Sequence, residues 1–217
     1  MIEGPRLAAL VASRVCHDMA GSMNPLIQGL EMLKESDASG KNADAIALME
    51  HGVANAWARL DFFRFAFAGG GDAGGGDGDG RLEEARAVAE KLYGSLKAAL
   101  EWRAQPVSMP RATLKVFMNA LFIANECLPK GGVVIVEAVR EGELVELRLN
   151  CTGQRAGMRP ATWAALQGDL PEDGYPGPVA QPLLTGILAR QANVEILTRK
   201  GEGVVDIVLR SPLFALA

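Results

Sequence analysis

Apolar residues recur along the first third of the chain with the period of a helix, and one polar break splits them into two runs. Wound at about 100° per residue, residues 6–34 bring Ala8, Ala12, Val15, Met19, Leu26, Leu30 and Leu33 onto one narrow stripe. After Glu35-Ser-Asp-Ala-Ser-Gly-Lys-Asn42 the pattern resumes with Ile46, Met49, Val53, Trp57, Leu60 and Phe67, with Phe63 close to the same line. Ser39 or Asn42 supplies an N-cap for this second helix, since either side-chain oxygen accepts from its free N–H groups. Residues 1–68 are therefore read as a helical hairpin. Two helices cannot cover both of their own apolar stripes. Pairing two hairpins into a four-helix bundle closes them, so a homodimer is expected.

The helical period then stops. Residues 69–80, GGGDAGGGDGDG, hold nothing that can pack and read as a flexible linker. Beyond it, residues 82–102 read as a helix, 105–109 as a short strand, and 111–128 as a helix stopped by Pro129 and Gly131-Gly132. Alternating apolar positions over 133–140 and 144–150 flank Glu141-Gly142-Glu143 and predict a hairpin. Helices near 160–166 and 179–191 lead to a second hairpin, 194–199 with 204–210. Residues 81–217 are thus expected to be an α/β domain with helices on one face of a mostly antiparallel sheet.

Composition narrows the class. A 49% hydrophobic fraction over 217 residues is enough for real cores. The net charge of −4 comes with no basic block, which excludes the electrostatic footprint of a nucleic-acid binder. Cys16, Cys127 and Cys151 are far apart, odd in number and not paired as metal ligands, which suits a reducing compartment. The apolar run 7–15 is bracketed by Arg6 and Arg14 and followed at once by His17-Asp18, too short for a bilayer span and unlike a secretory core. A cytoplasmic protein without membrane or nucleic-acid contacts is expected.

Chemistry concentrates at His17. It falls about 170° from the centre of the first helix's stripe, with Ser13 one turn before it, Gly21 one turn after and Asn24 two turns after. These small or polar neighbours let a partner approach the ring. Neutral imidazole, with an ordinary pKa of about 6.5, is a nucleophile near neutral pH. The second histidine, His51, lies in Met-Glu-His-Gly on the second helix and reads as a solvated residue.

Ser13-Arg14-Val15-Cys16-His17-Asp18, followed by Asn24-Pro25-Leu26, resembles the phosphoacceptor helix of histidine kinases, with Asp18 in place of the acidic neighbour and the proline two turns after the histidine. Residues 119–132, Asn-Ala-Leu-Phe-Ile-Ala-Asn-Glu-Cys-Leu-Pro-Lys-Gly-Gly, resemble the kinase helix that holds magnesium and nucleotide. Aligned on Pro129 and Gly132, Asn119 matches the first asparagine, but Ile123 stands where the metal-binding asparagine belongs, and isoleucine offers a hard cation no oxygen. The adenine-binding aspartate falls at Asn150 or Cys151, with Arg155 in place of a glycine, and the phosphate turn reads Gly177-Pro-Val-Ala-Gln-Pro-Leu-Leu184.

In their order these features resemble the ChpT family of histidine phosphotransferases: a dimeric four-helix bundle followed by a degenerate kinase ATPase-like α/β sandwich. The resemblance implies that His17 accepts a phosphoryl group from one receiver-domain aspartate and passes it to another, between a hybrid histidine kinase and response regulators. It implies that Asp18 orients the ring; from helix geometry Arg14, about 60° from His17, is expected to steady phosphate charge, and Ser13, Arg14, Gly21 and Asn24 to meet the receiver. It implies no cofactor and no metal of the chain's own, the receiver bringing magnesium, and no ATP.

Overall fold

A computed structural model describes residues 2–35, 41–67, 78–169 and 179–213. Helices α1 (Gly4–Glu35) and α2 (Lys41–Phe67) form the expected hairpin. They cross closely because Gly29 has no side chain: a Cβ there would lie 2.7 Å from the Ala45 carbonyl oxygen. Pro25 sits inside α1 and cannot donate to the carbonyl of residue 21. The α2 start at Lys41 puts Asn42 inside the first turn rather than at the cap, and Ser39 lies outside the described residues.

The second unit runs β1 (Asp79–Arg81), α3 (Leu82–Tyr93), β2 (Ala98–Trp102), β3 (Ser108–Pro110), α4 (Arg111–Glu126), β4 (Gly132–Glu141), β5 (Leu144–Thr152), α5 (Pro160–Gln167), α6 (Ala180–Gln191), β6 (Glu195–Gly201) and β7 (Val204–Pro212). Two expectations are corrected here. Residues 82–102 are not one helix: α3 ends where the Gly94 N–H closes on Glu90, and Ala98–Trp102 is a strand parallel to β4. Alanine, leucine and glutamate favour a helix locally, and sheet pairing with a distant strand overrides them. Asp79 and Gly80, expected in the linker, belong to β1, which pairs antiparallel with β3. Gly80 fits because a Cβ there would lie 2.7 Å from the Leu114 side chain. Residues 69–77 lie outside the described residues.

The five-stranded sheet has the order β2-β4-β5-β7-β6, parallel only between β2 and β4. Strand alternation divides its faces. Val134 and Val136 of β4, Val145, Leu147, Leu149 and Cys151 of β5, and Val205, Ile207 and Leu209 of β7 face the helices and are buried. Glu146, Arg148, Asp206 and Arg210 line the opposite, solvated face. Helix α4 lies over the buried face, and Val116, Phe117, Met118 and Leu121 are fully covered there.

One core runs through both units. Phe62, Phe63 and Ala66 near the end of α2 share it with Phe122 of α4, the Phe62 and Phe122 ring centroids lying 5.3 Å apart. The far side of the hairpin is bare. Met23, Ile27 and Leu30 on α1, and Ile46, Val53, Trp57 and Leu60 on α2, are exposed, Ile27 at 54% and Trp57 at 58%. Of the α1 stripe, Val15, Met19, Leu26 and Leu33 are partly covered, while Ala8, Ala12 and Leu30 are exposed. Among the described residues, no helix is long and apolar enough to cross a membrane.

Because Phe62 joins hairpin to sheet domain in a fully buried position, Phe62→Ala is expected to cost about 3–5 kcal/mol in urea unfolding. A loss below about 1 kcal/mol would mean that the two units do not share this core.

Candidate active site

His17 sits on the open side of α1 with its side chain 84% exposed. Its Nδ1 lies 3.1 Å from Asp18 Oδ1. An ionised carboxylate only accepts, so this hydrogen bond puts the ring proton on Nδ1 and leaves the Nε2 lone pair free. Although neighbouring helical positions diverge by about 100°, Asp18 reaches the ring from the inward side, its own side chain only 9% exposed.

Asp18 is held in turn. Arg14 Nε donates to Asp18 Oδ2 at 2.8 Å, and Arg14 Nη2 donates to Glu126 Oε1 at 2.7 Å. The guanidinium lies over the Phe122 ring, 5.1 Å from its centroid. Burial opposes the charge on Arg14, but the hydrogen bond to Asp18 and the attraction of Glu126 and Asp18 outweigh it and raise its pKa above the ordinary arginine value. Arg59, on α2, is influenced by the same group: burial lowers its pKa, attraction to Asp18 raises it, and repulsion from Arg14 lowers it, for a net decrease. Its Nε donates to Asn55 Oδ1 at 3.0 Å.

These contacts correct the expectation for Arg14. Its side chain, 15% exposed, is turned inward and committed to two carboxylates, not open beside the ring. Two charge-assisted bonds in a half-buried niche outweigh solvation of a long, pliable side chain. Ser13, Gly21 and Asn24 are exposed on α1, and a Cβ at Gly21 would meet nothing within 4 Å, so packing in the chain does not demand glycine there. His51 is exposed on α2.

Glu126, Phe122 and Arg59 escaped the sequence reading. Glu126 stands inside the Asn-Glu-Cys-Leu-Pro segment, but it meets Arg14 across 112 residues, a separation that helical periodicity does not encode.

The positions aligned with kinase nucleotide residues are otherwise engaged. Asn119 is buried; its Nδ2 donates to the Ala66 carbonyl at 3.2 Å and the Lys115 carbonyl at 2.8 Å, and its Oδ1 accepts from Gln181. Ile123 lies in the core. Asn150 donates to Asp206 at 2.7 Å, while burial raises the Cys151 thiol pKa, and that of Cys127 to about 12. Gly177 lies outside the described residues, and Val179, Ala180, Gln181 and Pro182, where α6 opens, are buried. Hydrocarbon at the metal position and a saturated amide beside it do not fit a magnesium nucleotide.

Residues 82–204, more than half of the chain, match the histidine phosphotransferase C-terminal domain. The chain is similar to protein phosphotransferase ChpT of Brucella abortus (strain 2308), with 33% identity over 192 residues, 88% of each chain. It is similar to a solved bacterial phosphotransferase at a TM-score of 0.84 and 27% identity, covering 96% of this chain and 98% of that one. The mycobacterial sensor histidine kinase MprB shares the fold over 65% of this chain and all of its own, with a TM-score of 0.50 and 14% identity. With a helical hairpin preceding a kinase-ATPase-like sheet domain, the chain belongs to the ChpT-type family of histidine phosphotransferases, whose role is phosphotransfer in two-component signalling.

Proposed function

We propose that this protein relays a phosphoryl group between receiver-domain aspartates through a phosphohistidine at His17. The observation that carries the reading is the exposed ring with Nδ1 held by Asp18. The Nε2 lone pair attacks phosphorus of a receiver aspartyl phosphate; the N–P bond forms, the P–O bond breaks, and the receiver carboxylate leaves. Because Nδ1 keeps its proton, the ring gains positive charge, which the Asp18 carboxylate at 3.1 Å balances. Transfer to a second receiver runs the same step in reverse.

Ser13, Gly21 and Asn24 form the docking surface around the ring. The open space at Gly21 supports this, since a side chain there would meet an incoming partner rather than its own chain. Magnesium enters with the receiver, and the transferase uses no nucleotide. The engaged Asn119 and the core position of Ile123 support that reading. The exposed band from Met23 to Leu30 and from Ile46 to Leu60 supports a homodimer whose four helices bury it.

Incubation with a phosphorylated receiver domain is expected to give acid-labile label on the wild type and on His51→Ala, and a loss of about 10³-fold or more in His17→Ala. Label persisting in His17→Ala contradicts the assignment, and tight receiver binding without any label would favour the alternative that the kinase-like sequence features also allow, a non-catalytic module that binds and sequesters its partner.

Light scattering is expected to give the mass of two chains for the wild type and of one for the Ile27→Glu, Trp57→Glu double variant. A dimer that survives both charges would place the interface elsewhere.

A further inference from the structure

The last group in the chain of contacts behind His17 belongs to the other unit of the molecule. Glu126 is the last residue of α4, whose preceding turns lie in the core of the sheet domain, so its carboxylate is anchored to that domain. One of its oxygens accepts from Arg14, and the other is buried and has no hydrogen-bond partner among the described residues. Among the described residues Arg14 is the hydrogen-bonding partner of this partly buried carboxylate, and leaving a half-buried charge unpaired is unfavourable. The guanidinium is held on its inner side by Glu126 and on one face by Phe122, another α4 residue. That leaves its Nε aimed at Asp18, and Asp18 with its second oxygen at the ring.

We infer that Glu126 is a positioning residue for His17: through Arg14 and Asp18 it fixes the imidazole with its proton on Nδ1 and Nε2 outward, so that docking of the sheet domain on the hairpin prepares the nucleophile. This rests on the proposed role of His17. Without Glu126 the guanidinium loses its anchor and follows solvent, and Asp18 then has no fixed direction. Which ring nitrogen carries the proton is set by the hydrogen bond that the other nitrogen's environment makes. A ring released from Asp18 therefore populates Nε2–H, and that form has no lone pair at the outward nitrogen. Arg59 also bears on Asp18, but through charge alone: its hydrogen bond goes to Asn55, and the hydrogen bond on Asp18 Oδ2 comes from Arg14.

The test uses the full chain with 15N-labelled histidine rings, where His51 is the internal reference. Glu126→Gln keeps the shape and removes the charge. It is expected to move the His17 ring from Nδ1–H towards Nε2–H, to leave His51 unmoved, and to slow phosphorylation by phosphoramidate, a small donor that needs no docking, by about tenfold. Arg14→Gln cuts the same link from the other side and is expected to give the same tautomer shift, which serves if Glu126→Gln does not fold. A folded variant of either kind with the wild-type His17 tautomer and phosphoramidate rate overturns the inference. The tautomer is read without phosphate, so its failure strikes the positioning role of Glu126 alone, whereas label that persists in His17→Ala strikes the phosphoacceptor reading.

Discussion

A single guanidinium, that of Arg14, lies between a carboxylate of the hairpin and a carboxylate of the sheet domain, 2.8 Å from one and 2.7 Å from the other. The rest of the site hangs on this bridge. Asp18 alone on a helix would swing with solvent, and an exposed imidazole beside it would carry its proton on either nitrogen. Once both carboxylates share one cation, the side chains lose that freedom, and the half-buried setting makes the bonds stronger than those of a surface pair. The ring stays open to partners while the groups behind it are tied to one another.

The bridge requires the two units to share a core, and the aromatic seam of Phe62, Phe63 and Phe122 supplies it. The sheet domain has kept the kinase-like architecture, with helices on one face and a charged, solvated face on the other. Ile123 lies in its core, and Asn119 ties α4 to the end of α2 through the Ala66 carbonyl. Both groups are thus committed to packing within the chain: Ile123 in the shared core and Asn119 at the end of the hairpin. On the reading proposed above, this domain serves to hold the histidine helix in register.

Some of this was legible in the residues alone. The 3.6-residue period placed the hairpin and put His17 away from the apolar stripe, because both properties belong to one helix and need no distant partner. Alternation placed β4, β5 and β7 for the same reason. Strand β2 was not legible: Ala98–Trp102 is made of helix-favouring residues, and only pairing with β4 in parallel register makes it a strand. The inward turn of Arg14 and the role of Glu126 were hidden for a related reason. A long side chain is not confined to the helix face from which it springs, and its partner comes from a residue 112 positions away.

The most direct measurement is the phosphorus–nitrogen NMR spectrum of the chain, with 15N-labelled histidine rings, after it has taken phosphate from a receiver. One phosphorus bonded to Nε2 of His17 is the predicted result. Phosphorus on Nδ1 of that ring, on His51 or on any residue other than histidine would contradict the account.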